Sequence, residues 1–396
     1  MSETGIDPLS SLAGGAASPY LAEEHEMLRA QVRRFVEEEV KPHGEAWEAA
    51  GFVPREVLRR MGALGFLGIR YPARWGGSEM DERASVVLAE ELGRSTFGGF
   101  AITVLDHTDM SSVHIANNGS EAQKARWMPG IIDGSAITAV AITEPAAGSD
   151  VKGIRTTARH DGGDLVLNGT KHFITNGVYA DIYCVAVKTA EGSGSRNVSM
   201  VLVEKGTPGF RVARKFDKHG WRSSDMAELV FDDARVPAAN IIGEEGRGFY
   251  ALMRNFQNER LVLGAQAIGE MGAAIELALA HVQERKAFGG TLWDKQVVRH
   301  KLALMASKVA SARAFVYETA WRSAGGQECV REVSMIKALV GDLVLEVTHG
   351  CLQLFGGAGY MTGSPIERMA RDARAHAIGG GATEVMLEEV AKRLGR

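Results

Sequence analysis

The hydrophobic pattern of this 396-residue chain changes its period twice. Up to about residue 135, and again from about residue 246, apolar residues recur at helical spacing. Between these regions, short β-rich runs alternate with glycine-containing or charged turns. Few architectures place a β domain between two helical regions. The sequence therefore predicts an α+β multidomain protein with an N-terminal α-helical domain, a middle antiparallel β domain and a C-terminal four-helix-bundle domain.

The predicted domain boundaries follow these changes of period. A prior of ~100–200 residues per domain suggests two or three domains for a chain of this length. The first residues are rich in Ser, Gly and Ala, which is typical of a mobile arm. We place the arm at residues 1–18, the N-terminal α-helical domain at 19–135, the middle β domain at 136–245 and the C-terminal α-helical bundle domain at 246–396.

Individual elements follow from the same periodicities. Helices are predicted at residues 21–40, 54–64, 81–92, 97–117, 121–127, 249–285, 296–323, 330–355, 364–374 and 383–394. Strands are predicted at residues 136–143, 164–177, 182–187, 199–203, 210–213 and 227–231. Asn168-Gly169 is a hairpin signal, so the stretch 164–177 is predicted as two strands joined by a turn. Small residues along 264–280 allow close helix approach and are interpreted as an indication of an oligomeric interface.

Charge and cysteine content exclude several classes of function. The net charge is −4 with both signs interspersed, so no nucleic-acid or anionic-membrane surface is predicted. The N-terminus lacks the features of a leader, and no membrane insertion is expected because no run of ~18 apolar residues occurs. Cys184, Cys329 and Cys351 lie far apart, which indicates a reducing compartment and predicts a cytoplasmic protein.

One charged residue lies in an apolar helical stripe. Leu252, Phe256, Glu259 and Leu263 follow one another at spacings of four, three and four. A carboxylate buried there without a full partner acquires a raised pKa, as an enzyme base requires. The alternative is a structural carboxylate that pairs with a neighbouring arginine or caps a segment. The helix alone favours this structural interpretation.

Several common catalytic sites are absent from the sequence. No GxGxxG follows a strand, because the glycines at 357 and 359 lie between predicted helices. No Walker A loop, GxSxG elbow or HExxH helix occurs, and the histidines lack metal-ligand spacing. The sequence therefore predicts no metal site.

The stretch 141–150, AITEPAAGSD, reads as a strand leading into a turn of small residues. The N–H groups and hydroxyls of such a turn suit the carbonyls and phosphates of a ligand. The stretch resembles the flavin-binding signature of the acyl-CoA dehydrogenase family. Five further motifs of that family follow in the expected order, at residues 167–177 (LNGTKHFITNG), 218–225 (KHGWRSSD), 231–237 (FDDARVP), 285–289 (RKAFG) and 353–360 (QLFGGAGY). The resemblance spans about residue 20 to the C-terminus.

The resemblance implies the acyl-CoA dehydrogenase fold and an FAD bound without a Rossmann domain. Positions that match cofactor contacts of the family are Thr143, Gly148, Ser149, Phe173, Thr175, Arg285, Phe288, Gln296, Gln353, Gly356, Gly357, Thr383 and Glu384. Ser149 and Arg260 are the predicted substrate-binding residues. In the family, a neighbouring subunit helps to hold the adenine end of FAD, so a homotetramer is expected.

The position of the base separates branches of this family. Many members carry it in a C-terminal Ile-x-Glu-Gly-Thr motif, but here Gly380 occupies the carboxylate position and Ala382 replaces the threonine. Long-chain and isovaleryl-type members carry the base in a Glu-Arg pair on the first long helix of the bundle. Glu259-Arg260 matches that pair, and Glu384 is the alternative candidate. Glu259 is therefore the predicted catalytic base.

The predicted function is FAD-dependent α,β-dehydrogenation of a saturated acyl-CoA to trans-2-enoyl-CoA, with electrons passing to an electron-transfer flavoprotein. Residues 107–123 and the C-terminal glycine motif resemble the long-chain group most, which favours a medium, long or branched acyl chain. Alternatives on the same fold are an acyl-CoA oxidase or another flavin enzyme. A non-catalytic assembly partner built on this fold is the alternative from a different class.

Overall fold

The computed structural model of the protein describes residues 18–191 and 194–395. All but the last residue of the predicted N-terminal arm therefore lies outside the described residues. The N-terminal part is helical, and two of its helices continue into π-helical segments, Val36–Val40 and Asp106–Ser111. Its α-helices are α1 (Glu23–Phe35), α2 (Gly44–Ala50), α3 (Arg55–Ala63), α4 (Glu82–Gly93), α5 (Gly98–Leu105), α6 (Ser112–Asn118) and α7 (Glu121–Ile132).

The middle part is a mixed β-sheet. Its strands are β1 (Thr138–Ala141), β2 (Thr157–Asp161), β3 (Asp164–Thr175), β4 (Ile182–Lys188), β5 (Val198–Glu204), β6 (Phe210–Lys215), β7 (Met226–Pro237) and β8 (Ile241–Ile242). The strand order is β6-β7-β3-β2-β4-β5-β8, and β1 also pairs with β4. Most of these ladders are antiparallel, as the sequence predicts, whereas β4 pairs in parallel with β1 and β2.

The predicted hairpin turn at Asn168-Gly169 is wrong, because both residues lie inside the continuous strand β3. The β3–β7 register shifts between Leu167 and Gly169, so the dipeptide marks a bulge instead of a turn. A Cβ on Gly169 would lie 2.7 Å from the Cα of Thr156, and glycine permits this close approach. The chain turns before β3 instead, at the two glycines between β2 and β3.

The C-terminal part is a bundle of long helices. It contains α8 (Gly248–Glu284), the short strands β9 (Lys286–Ala287) and β10 (Gly290–Thr291), α9 (Gln296–Ala324), α10 (Val330–Phe355), α11 (Pro365–Asp372) and α12 (Thr383–Leu394). The central helix is α8, which packs against α9 and α10 of the bundle and against α4 of the N-terminal part. The bundle and the N-terminal helices therefore share one hydrophobic core.

The small residues of α8 serve packing within the chain. A Cβ on Gly269 would lie 2.0 Å from the carbonyl oxygen of Glu90 on α4. A Cβ on Gly264 would lie 2.6 Å from the side chain of Ile336 on α10. The sequence-based interpretation of these glycines as a subunit interface therefore needs correction, because helices of the same chain occupy the space beside them.

Two helical segments, Gly248–Glu284 and Val330–Tyr360, are long and apolar enough to cross a membrane by length and composition alone. Of the most apolar 18-residue window, 89% is buried within the protein in the first segment and 44% in the second. These two helices are weak evidence of insertion, because core helices meet the same criteria.

Candidate active site

Glu259 lies in the first third of α8, within the apolar stripe that the sequence indicates. Leu252 and Leu263 of this stripe are buried, whereas Glu259 itself is partly exposed. Among residues 18–191 and 194–395, no side chain or N–H group forms a hydrogen bond or ion pair with its carboxylate. Neither Arg254 nor Arg260, the arginines nearest to it in the sequence, bonds to it. The carboxylate is therefore available to a ligand.

Gly380 lies directly opposite Glu259. A Cβ built on Gly380 would lie 3.2 Å from Glu259 Oε1 and 2.3 Å from Leu263 Cδ1. Gly380 also has φ +64°, a conformation that L side chains rarely adopt. Positions 259 and 380, the two places where the family carries its base, are therefore adjacent in the structure. Leu263 occupies the volume that a side chain at position 380 would need.

The surroundings of Glu259 bring the pKa of its carboxyl group close to neutral pH. Burial raises the pKa of this carboxyl to about 7, while the positive charges of Arg260 and Lys337 oppose the rise. Burial also raises the pKa of Asp106, and negative charge on Glu259 and Asp225 raises it further. A group that titrates near pH 7 can accept a proton and release it again at neutral pH.

The β domain brings two of the predicted cofactor motifs together. The N–H group of His172 donates to the carbonyl oxygen of Thr143 at 2.8 Å, which places β3 beside the turn that follows β1. Lys171 is fully buried, and its Nζ donates to Glu144 Oε1 at 2.8 Å and to the carbonyl oxygen of Ile142 at 3.0 Å. A buried ion pair therefore fixes the turn that carries Thr143 against β3.

The surface above this turn is open and carries an exposed ring. The side chain of Phe173 is 57% exposed, and its backbone has φ +59°. Gly148 and Ser149 are exposed, and nothing lies within 4 Å of a Cβ built on Gly148. Thr175 lies at the end of β3, two residues beyond Phe173, where it pairs with Met226 of β7.

A second group of predicted cofactor residues lies at the far end of the bundle. Arg285 follows the last residue of α8, about 40 Å along the helix axis from Glu259 at ~1.5 Å per residue. The ring of His281 stacks on that of Phe355, with centroids 4.2 Å apart, and brings the ends of α8 and α10 together. At this end lie Arg285, Phe288, Gln296, Gln353, Gly356 and Gly357. The single chain therefore does not bring this group to Glu259.

Thr383 and Glu384 begin α12, close to the Gly380 segment. Thr383 is buried, and its Oγ1 has no hydrogen-bond partner among the described residues. Glu384 is exposed. Arg260 Nε is likewise buried and unpaired in the described part of the chain, and it lies 3.6 Å from where a Cβ on Gly381 would be.

The β-domain residues around Phe173 and the residues around Arg285 suit different parts of FAD. The exposed ring of Phe173 and the hydroxyls of Thr143 and Thr175 suit a flavin ring and its hydrogen-bonding edge. Phe288 is 91% exposed beside Arg285, whose guanidinium can bind a pyrophosphate in bidentate fashion. The buried hydroxyl of Thr383 lacks the partner that a bound ligand can supply.

Metal chemistry has no comparable support. Among the described residues, no group of three or more His, Cys, Asp or Glu side chains is placed to hold a metal ion. All three cysteines are buried and free.

Sequence reasoning missed several polar residues around the site. Asn176 is buried after β3, and its Nδ2 donates to Asp106 Oδ2 at 3.2 Å and to the carbonyl oxygens of Thr103 and Thr138. Lys337, on α10, is also buried and lies opposite Glu259. Lys337 occupies an otherwise apolar stretch, where an isolated polar residue is the signal that could have indicated it. Asn176 follows Thr175 in a more polar stretch and gives no such signal.

Three family models match the chain. They are described as the N-terminal, middle and C-terminal domains of acyl-CoA dehydrogenase and match residues 22–135, 139–234 and 246–395.

Relatives are similar over most of the chain. A long-chain specific acyl-CoA dehydrogenase from Sus scrofa is 40% identical, with 94% of this chain and 86% of the relative covered. An isovaleryl-CoA dehydrogenase from Pongo abelii is 36% identical, with 92% and 87% covered. The crystal structure of an acyl-CoA dehydrogenase from Geobacillus kaustophilus has a TM-score of 0.92 and 41% identity over 96% of this chain and 100% of that one. The chain belongs to the acyl-CoA dehydrogenase family of FAD-dependent oxidoreductases.

Proposed function

We propose that this protein converts a saturated acyl-CoA to the trans-2-enoyl-CoA and that Glu259 removes the α-proton. The observation that carries the proposal is the free carboxylate of Glu259, which faces Gly380 and has a pKa raised by burial to about 7. Position 380, where other family members carry the base, is a glycine here, and Leu263 occupies the space that a side chain at this position would need. When bound, FAD supplies the acceptor for the hydride that leaves the β-carbon.

The residues around Glu259 bind and orient the reactants. Thr143, Phe173 and Thr175 hold the flavin end of the cofactor, and Ser149 and Arg260 bind the acyl-CoA. Thr383 and Glu384 extend the cofactor site from the start of α12. Hydrogen bonds to the thioester carbonyl then stabilise the negative charge that develops when the α-proton leaves.

The remaining cofactor residues act in a neighbouring subunit of a homotetramer. The separation of about 40 Å between Glu259 and Arg285 along one helix supports this, because a single FAD in one chain would have to span that distance to contact both. Exposed apolar side chains on the bundle also support it, among them Phe288, Val297, Leu304, Leu387 and Leu394. Light scattering on the purified protein tests this, and a monomeric mass for the FAD-loaded protein would contradict it.

Electrons leave the protein for an electron-transfer flavoprotein, and the protein works in the cytoplasm. Three free, buried cysteines support a reducing compartment. Fractionation of the source cells tests this location, which recovery from an oxidising compartment would contradict. Oxygen uptake that matches product formation, without an added acceptor, would instead identify an acyl-CoA oxidase.

Anaerobic titration of the purified protein with acyl-CoAs of graded length tests the activity. We expect the visible flavin absorption to bleach with medium, long or branched chains, and the enoyl-CoA product to appear in equal amount. If no acyl-CoA bleaches the FAD-loaded protein, the proposed dehydrogenation is wrong. A colourless protein that cannot be reconstituted with FAD would support the non-catalytic alternative.

A further inference from the structure

A buried lysine of α10 lies beside the base. The side chain of Lys337 is fully buried between α8 and the segment 376–381. Its Nζ donates a hydrogen bond to the carbonyl oxygen of Gly381 at 3.1 Å and another to that of His376. A buried ammonium is costly unless it is paired or fully hydrogen-bonded, so this lysine requires an explanation.

The start of this segment has other anchors: His376 Nε2 lies 2.9 Å from Glu270 Oε2, and the N–H groups of Ile378 and Gly379 donate to the carbonyl oxygen of Ala375. The glycines that follow depend more on Lys337. Residues 379–381 are all glycine, and Gly380 and Gly381 have φ +64° and +107°. Without side chains, these residues cannot fix their position by packing. Two hydrogen bonds from one ammonium therefore fasten the backbone that faces Glu259.

The same lysine faces Glu259 across Gly380. A Cβ built on Gly380 would lie 3.7 Å from Lys337 Cε and 3.2 Å from Glu259 Oε1, so both side chains border one small space. The other charged groups near Glu259 are Arg260 on the same helix and Asp106 on the π-helical segment. The segment 379–381 contributes no charged side chain.

We propose that Lys337 is a positioning residue for Glu259, because its ammonium group fixes the 376–381 backbone and presents a buried positive charge to the carboxylate. The proposal rests on Glu259 being the base of the proposed function. Burial lowers the pKa of Lys337 to about 8, and Glu259 opposes this, so the lysine stays mostly protonated at pH 7. Its charge favours the ionised form of Glu259, which is the form that accepts a proton.

The pH profile of kcat/KM for flavin reduction tests this role in Lys337→Met. Loss of the facing charge raises the pKa of Glu259, so we expect the acidic limb of the profile to move to higher pH by about one unit. Lys337→Arg keeps the charge and is expected to restore the wild-type limb. Lys308→Met removes an exposed lysine that pairs with Glu346, and it is expected to keep the wild-type profile.

Thermal unfolding provides a readout that does not depend on activity. We expect Lys337→Met to lower Tm at pH 7.5 more in the wild-type background than in the Glu259→Gln background. Only the wild-type background keeps an ionisable carboxyl group at position 259, which loses the neighbouring positive charge. Where Lys337→Met does not fold, Lys337→Gln replaces it in both measurements, because its amide keeps a donor without the charge. If the wild type is not reduced by any acyl-CoA, the proposed function fails while this comparison of Tm values remains valid.

An unshifted acidic limb in the uncharged variant, together with equal Tm losses in both backgrounds, would overturn the proposal. Lys337 would then serve only to hydrogen-bond the backbone of the segment 376–381.

Discussion

At the scale of single residues, Glu259 has the properties that a base for an α-proton needs. It has no partner among the described residues, and although part of the residue is exposed, the protein around its carboxyl group displaces water and raises the pKa to about 7. The helical stripe alone favours a structural carboxylate. The absence of an ion pair to Arg254 or Arg260 and the position of Gly380 now favour the catalytic role.

Gly380 is predicted to tolerate no side chain. Gly380→Ala places a Cβ 2.3 Å from Leu263 Cδ1 at a residue with positive φ, so we expect a loss of about 1–3 kcal/mol in the free energy of unfolding. Gly379→Ala is the matched control, because its Cβ would meet only the carbonyl oxygen of Ala375, at 3.5 Å. Chemical denaturation of the two variants measures the difference, and equal stabilities would contradict the packing described here.

At the scale of elements, the turn that carries Thr143 depends on a buried ion pair between a strand and a loop. Glu144 accepts hydrogen bonds from Lys171 and from the backbone N–H groups of Arg155 and Thr156. Burial opposes ionisation of Glu144, but Lys171 and these hydrogen bonds lower the pKa of its carboxyl below the usual value. One carboxylate thus ties together the turn after β1, the start of β2 and the middle of β3.

Lys171→Met is expected to loosen this turn and to leave Glu144 buried without its charged partner. Such a change typically costs ~3–5 kcal/mol, and the purified protein should also contain less FAD. The double variant Lys171→Met with Glu144→Gln should be more stable than Lys171→Met alone, because it removes the uncompensated charge. Unfolding curves and the ratio of flavin to protein absorbance measure both effects. A single variant with wild-type stability would contradict the role of the pair.

Much of the element order could be predicted from the sequence, because the spacing of apolar residues along the chain determines it. Long helices such as α10 and α12 agree with the sequence because apolar spacing determines them, and the fold class, family and FAD cofactor are confirmed. The Asn168-Gly169 turn is wrong because the glycine is needed for close contact with Thr156, which directly precedes β2. The roles of Lys337 and Asn176 could not be predicted, because tertiary contacts alone bring them to Glu259 and Asp106.

At the scale of the whole molecule, buried polar groups join the three parts of the chain. Asp372 at the end of α11 accepts a hydrogen bond from the N–H group of Trp221, in the β domain, at 2.6 Å. Its other oxygen lies 3.2 Å from where a Cβ on Gly98 of α5 would be. Burial raises the pKa of Asp372 to about 7, and the negative charge of Glu48 adds to the rise.

This junction predicts a dependence of stability on pH. Because the pKa of Asp372 is higher in the folded state than in the unfolded state, its contribution to stability is lost as pH rises from about 4 to about 7. Asp372→Asn keeps an acceptor for Trp221 but does not titrate, so its Tm should fall less than that of the wild type between pH 5 and pH 8. Asp342→Asn, at an exposed position on α10, serves as the control. Parallel Tm profiles for Asp372→Asn and the wild type would contradict the buried junction.

The central claim is that Glu259 is the base, and the rate of flavin reduction in a single turnover tests it most directly. FAD-loaded wild-type protein and Glu259→Gln are mixed anaerobically with the acyl-CoA that bleaches the wild type best. We predict that Glu259→Gln binds the acyl-CoA but is reduced at least ~100-fold more slowly, in keeping with the usual contribution of a general base. Reduction of Glu259→Gln at the wild-type rate would contradict the assignment.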